Sequence, residues 1–174
     1  QISPSWYAVT QKGSATTPSI SSNDRYLVIS DGAHPTTFIN PSTAYGEIKV
    51  YDIEQCDANT DSDPDPQRCA QLWSHPLARS PMVGAPAILD DGTVIYWEMG
   101  LAFDADPQDA DVVAVNQAGV LWESSLPDDM DWSSVVTVTQ NHVIGSASRV
   151  TPSDEGLPGF KLPVKTMDRL VVLD

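Results

Sequence analysis

Apolar residues fall along this chain in short runs bounded by turn residues, as in "YLVIS" (26–30), "TVIYW" (93–97) and "DVVAV" (111–115). Runs of this length with Asn, Asp, Gly and Pro between them predict strands and tight turns; no long stretch shows the 3.6-residue period of an amphipathic helix. The runs also repeat. "QLWSHPLARSPMVGAPAILDDGTVIYWEM" (71–99) and "VLWESSLPDDMDWSSVVTVTQNHVIGSAS" (120–148) align on Trp73 and Trp122, and "SWYAVTQKGSATTPSISSNDRYLVISDG" (5–32) follows the same plan from Trp6. Ahead of each later tryptophan stands one more apolar run, "EIKVYDIE" (47–54) or "DVVAVNQAG" (111–119), and "DRLVVLD" (168–174) supplies it a third time.

The repeating unit is therefore four short strands, a to d. Strand a covers Pro18–Ser21, Pro86–Leu89 or Val135–Val138, and b follows an Asn-Asp, Asp-Gly or Asn-His turn. Strand c carries "KVYD", "VAVN" or "VVLD", and d carries the tryptophan. Trp73 and Trp122 are 49 residues apart, inside the roughly 40 to 50 residues of a four-stranded propeller blade. A blade that is apolar on both faces needs neighbours stacked on it, so such units come in closed rings of about four to eight.

"DVVAVNQAGVLWESSL" resembles the repeat of the quinoprotein-type (PQQ-like) β-propellers, through Val115, Asn116, Gly119 and Trp122, with the Leu-Asp ending supplied by "LVVLD" (170–174). The motif is shared in part with WD-like repeats. The expectation is an all-β chain of propeller blades of four antiparallel strands, about three blades' worth, from a six- to eight-bladed ring. The whole of 1–174 then forms one propeller segment with units at about 11–76, 77–125 and 126–174, and residues 1–10 give a strand to a neighbouring or closing blade. Three blades do not close a ring of ordinary size. Either remaining blades lie in a longer chain, which the stop at "VVLD" inside a unit favours, or another copy completes the ring.

Within this frame the chemistry belongs on the rims, because the strands are committed to packing. The longest c-to-d connection is "CDANTDSDPDPQRC" (56–69), bounded by the only two cysteines. Cys56 just past strand c and Cys69 just before strand d should oppose each other across the hairpin and form a disulfide. Between them Asp57, Asn59, Asp61, Asp63 and Asp65 take alternate positions, the spacing with which oxygen ligands begin to wrap calcium. Ser62 stands where an EF-hand loop has Gly, Arg68 where it has a bidentate Glu, and Pro64 and Pro66 favour extended backbone. The loop is thus either a calcium site or a solvated acidic hairpin.

A second acidic connection, with Asp104, Asp106, Asp109 and Asp111, should lie on the opposite rim. A third, "TPSDEGLPGFKLPVKTMD" (151–168), presents Phe160 to a partner. Trp6, Trp73 and Trp122 are expected to pack between blades. Trp97 and Trp132, off that register and beside Glu98 and Asp131, are the expected exposed surface for a sugar or peptide.

His34, His75 and His142 have no partners at ligand spacing and read as turn or surface histidines. No nucleophile elbow, zinc-helix motif or phosphate loop occurs. Quinoprotein dehydrogenases of the resembled family carry adjacent cysteines against their cofactor; this chain has no such pair, which argues against quinone binding by this segment. The formal charge of −15 argues against nucleic-acid and anionic-membrane partners, and no run is long and apolar enough to span a bilayer.

The cysteine pair suggests an oxidising compartment: secreted, periplasmic or cell-surface. Together these features predict a binding or assembly module, stabilised by Ca2+ if the loop binds it, with a protein or glycan partner on its rims. The alternatives are a quinoprotein-like oxidoreductase or other propeller enzyme with its active site in other blades, and a structural subunit of an extracellular assembly.

Overall fold

A computed structural model describes residues 17–31, 46–58, 69–77, 85–98, 111–125, 132–139, 141–152 and 163–173. They form three antiparallel sheets, each built from consecutive strands. The first contains β1 (Ser19–Ile20), β2 (Tyr26–Asp31), β3 (Glu47–Asp52) and β4 (Trp73–Pro76), in that spatial order. The second contains β5 (Ala87–Ile88), β6 (Val94–Glu98), β7 (Asp111–Asn116) and β8 (Gly119–Ser125). The third contains β9 (Trp132–Val138), β10 (Val143–Pro152) and β11 (Pro163–Leu173), with β10 in the middle.

The expected order of strands a to d is met in the first two sheets, and a to c in the third. Residues 1–10, expected to give a further strand, lie outside the described residues. The three described sheets do not close into a ring. Two elements depart from expectation: β11 begins at Pro163, inside the connection expected over 151–168, and "EIKVYDIE" does not stay extended to Glu54. β3 ends at Asp52 and a one-and-a-half-turn helix, α1 (Ile53–Ala58), follows. Asp52 accounts for the switch, because its Oδ1 accepts hydrogen bonds from the backbone N–H of Glu54 at 3.1 Å and Gln55 at 3.4 Å. A side-chain oxygen that satisfies these otherwise unpaired donors starts a helix where the strand pattern alone would continue.

Alternation within each strand sends side chains to two faces, and the sheets use both. From the first sheet Val28, Ile48, Val50 and Trp73 meet Ile88, Val94, Tyr96, Val113 and Val115 of the second in one cluster. From the opposite face of the second sheet Ile95, Trp97, Val112 and Ala114 meet Val136 and Val143 of the third. The sheets therefore stack face to face in chain order, with β1 and β2 touching β5, and β5 and β6 touching β9.

The inner strands of the middle sheet are covered on both sides: every residue of β6 and the first five of β7 are buried, while the outer strand β8 is mostly exposed. This explains why "VIYW" and "VVAV" read as unbroken apolar runs rather than alternating ones. Each fully buried aliphatic side chain contributes about 1.5 to 3 kcal/mol of transfer free energy, so these two interfaces dominate the fold.

Gly145 shows how closely the second interface fits. A Cβ added there would collide with Cζ2 of Trp97, so the indole of one sheet rests directly on the backbone of the next. No side chain larger than hydrogen fits without moving that ring.

Candidate functional site: the disulfide-clamped end of the first sheet

α1 carries the chain from β3 to the acidic connection, and its fourth residue is Cys56. Cys56 and Cys69 are joined, with Cα atoms 4.9 Å apart, as expected for residues facing each other at the base of a hairpin. Both cysteines are buried and pack with Ile29, Tyr51 and Leu27 on the face of the first sheet that points away from the second. The clamp is thus also a small apolar core beneath the loop.

Asp52 ties this clamp to the neighbouring turn. While its Oδ1 caps α1, its Oδ2 accepts hydrogen bonds from Arg25 Nε at 3.3 Å and Nη2 at 3.2 Å. The carboxylate is buried and the guanidinium half exposed. Arg25 also lies over the Tyr26 ring, 5.0 Å from its centroid, and the hydrogen bond to Asp52, then the Tyr26 and Asp52 charges, hold its pKa above the ordinary value. The backbone N–H of Ile53 closes the arrangement by donating to the Arg25 carbonyl at 2.8 Å. The β1–β2 turn, the helix and the disulfide form one rigid end.

That turn is in turn fastened to the second sheet. Asp90, in the β5–β6 turn, accepts from Ser22 Oγ at 2.8 Å with each carboxylate oxygen and from the Asn23 backbone N–H at 3.0 Å. Asn23 Nδ2 donates back to the Asp90 carbonyl at 3.2 Å. Corresponding turns of adjacent sheets therefore sit side by side on one rim. Gly92, at φ +83°, makes the β5–β6 turn possible beside the Tyr26 ring.

The other ends of the strands carry buried charge. Lys49 Nζ donates to Asp31 Oδ2 and lies 3.2 Å from Glu47 Oε1, and both Lys49 and Asp31 are almost wholly buried. Burial alone would lower the Lys49 pKa, but the hydrogen bonds to Asp31 and Glu47 outweigh it and hold the ammonium above its usual value. Burial likewise raises the Tyr51 phenol.

In the second sheet Glu98 and Asp111 are register partners, as Asp31 and Glu47 are in the first. Both are buried. Val113 stands in the place of Lys49, and burial, with Glu98 and then Glu123, raises the neighbouring Tyr96 phenol strongly.

Of the candidate calcium ligands, Asp57 is in the last turn of α1, and Asn59, Asp61, Asp63 and Asp65 lie outside the described residues. Asp111 opens β7 at the opposite rim from α1, while Asp104, Asp106 and Asp109 are outside the described residues. Among the described residues no group of three His, Cys, Asp or Glu side chains is placed to share a metal ion.

Trp97 is not on a surface. It is 1% exposed, because all of β6 is enclosed between two sheets, so it cannot offer a stacking platform to a sugar or peptide. Trp132 lies on β9, its side chain outside the described set, and Phe160 and His34 lie outside the described residues. Trp73 packs between sheets as expected. Trp122, expected to do the same, is 41% exposed. His75 is partly buried opposite Ile48, and burial lowers its pKa. His142 sits in the β9–β10 turn, its backbone N–H donating to Thr139 Oγ1 at 3.1 Å.

The Lys49 trio and the Asp52 junction were not singled out from sequence. The available signals were a lysine between apolar residues in "EIKVYD", and an aspartate directly before "IEQC". Comparison with known proteins finds no family model, no curated protein and no solved structure that matches the chain.

Proposed function

We propose that this chain is a segment of a PQQ-like β-propeller that works as a binding or assembly module outside the cytoplasm, with its recognition surfaces on the rims. The observation that carries the proposal is the middle sheet, a four-stranded antiparallel meander whose inner strands β6 and β7 are buried on both faces between two further sheets stacked in chain order. Such enclosure of β6 and β7 leaves the strand ends and the exposed outer strand β8 for contact with other molecules. The Cys56–Cys69 disulfide supports an oxidising compartment, and among the described residues no helix is long and apolar enough to cross a membrane.

On this reading the clamped acidic connection is a calcium-stabilised rim element whose partner is a protein or a glycan. Scanning calorimetry decides the calcium part: millimolar Ca2+ raises the melting temperature of the native chain and fails to do so in Asp61→Ala. Equal melting temperatures with and without Ca2+ reduce the loop to a stapled acidic hairpin. An absorbance scan of the purified protein decides the functional class. No stoichiometric quinone chromophore is expected, and finding one would replace the binding module with an oxidoreductase.

A further inference from the structure

The Cys56–Cys69 bridge joins two parts of the chain that are held with unequal firmness. Cys69 leads directly into β4, and Leu72, just before that strand, donates its backbone N–H to the Val50 carbonyl at 2.7 Å, so this side belongs to the sheet. Cys56 lies on α1, a helix of six residues. Helices shorter than about twelve residues are marginal on their own in water, and Glu54 and Gln55 of this one face solvent. The bridge ties the weaker element to the stronger.

From α1 a continuous set of hydrogen bonds runs to the second sheet. Asp52 Oδ1 accepts from the Glu54 and Gln55 backbones, and its Oδ2 accepts from Gln55 Nε2 at 3.4 Å as well as from the Arg25 guanidinium. The Arg25 backbone N–H donates to Asn23 Oδ1 at 3.1 Å, and the same oxygen accepts from Ser21 Oγ at 2.7 Å. Asn23 Nδ2 in turn donates to the Asp90 carbonyl, and the Asn23 backbone N–H to the Asp90 carboxylate. Asn23 is thus bonded both to the residue that Asp52 holds and to the second sheet. A short helix that is either formed or open gives this set of bonds the two states that coupling between distant sites requires.

We propose that this end of the molecule is a redox-responsive latch, in which opening of the Cys56–Cys69 bridge releases α1 and Asp52 and thereby loosens the Asn23–Asp90 junction between the first two sheets. The agent that opens it is a dithiol reductant. One of its thiolates attacks a cysteine Sγ and the S–S bond breaks. Its second thiol then resolves the mixed disulfide, so two electrons and two protons pass to the chain and the reductant leaves as a disulfide. Both cysteines are buried, so attack waits on the opening of α1, and by linkage reduction favours the open helix in return. Once α1 opens, the Glu54 and Gln55 donors leave Asp52 and water reaches its carboxylate. Its pairing with Arg25 then becomes that of an exposed ion pair, which contributes little.

The test is residue-by-residue amide exchange of the full chain, read by heteronuclear NMR with and without dithiothreitol. Reduction is expected to speed exchange at Glu54 and Gln55 by at least about tenfold and at Asn23 by at least about threefold, while Trp97 keeps its cross-peaks to Gly145. The chain carrying both Cys56→Ser and Cys69→Ser reproduces the reduced pattern in the absence of the reagent. In Arg25→Met the Glu54 and Gln55 amides still respond to reduction and the Asn23 amide does not. An Asn23 amide that exchanges at one rate in both redox states overturns the proposal, as does a redox effect at Asn23 that Arg25→Met leaves undiminished. Loss of the Trp97–Gly145 cross-peaks on reduction overturns it as well, because the bridge would then hold up the whole stack rather than one end of it.

Discussion

Gly145 and Trp97 are the point at which two sheets come closest, so a single methyl group reports on the whole interface. Gly145→Ala is expected to destabilise the chain by about 1 to 3 kcal/mol, the usual cost of overfilling a packed core. In a Trp97→Leu background the same change should cost much less, because the atom it meets is gone. Urea denaturation of the four chains measures this, and an undiminished penalty in the Trp97→Leu background would show that Gly145 matters for another reason.

The titratable residues make a second expectation. Burial lowers the His75 pKa below its ordinary 6.5, so the unfolded chain binds a proton more readily than the folded one. The stability tied to neutral His75 is present above pH 6.5 and is lost as the pH falls below it. Lys49 has the opposite sign. Its pKa is raised above 10.5, so its contribution is complete below that value and is lost as the pH climbs through the higher folded one. Melting temperature against pH should fall at both ends. His75→Gln should flatten the acid side, and Lys49→Met the alkaline side.

α1 illustrates what a strand pattern conceals. "EIKVYDIE" alternates well enough to read as one strand, but a carboxylate at Asp52 that can reach two backbone donors makes a helix the better continuation. Asp52→Ala is expected to cost about 1 kcal/mol through the lost cap and to free Arg25 from the turn. Circular dichroism is too insensitive for six residues, so the check is faster amide exchange at Glu54 and Gln55. Unchanged exchange there would mean that the disulfide alone holds the helix. Reducing Cys56–Cys69 should cost more, on the order of 3 kcal/mol in the chain-entropy model.

The strands themselves were legible in the sequence because turn residues and apolar runs recur in the same order, and the disulfide because both cysteines flank one connection. The exposure of individual tryptophans was not legible. Trp97 sits beside Glu98 and off the repeating register, which suggested a surface, yet the glycine that accommodates it lies in the next sheet, where no local pattern reveals it. Trp122 takes the place in its sheet that Trp73 takes in the first, yet it is 41% exposed. Burial of a side chain between sheets is a property of two distant segments, and a single strand's pattern reports only one of them.

For the molecule as a whole, the account stands on sheets stacked in chain order, the inner strands of the middle one enclosed on both faces. The Ser22–Asn23–Asp90 bonds join the first two sheets along one rim, and the Arg25–Asp52 pair ties that rim to the helix that carries Cys56. The measurement that bears most directly on this arrangement is the nuclear Overhauser spectrum of the Trp97 indole. Stacking predicts cross-peaks from its Hζ2 and Hε1 to the Gly145 Hα protons, which should be shifted far upfield by the ring current. An indole that shows contacts only within its own sheet, with Gly145 at an ordinary glycine shift, would contradict the stack and the propeller proposed from it.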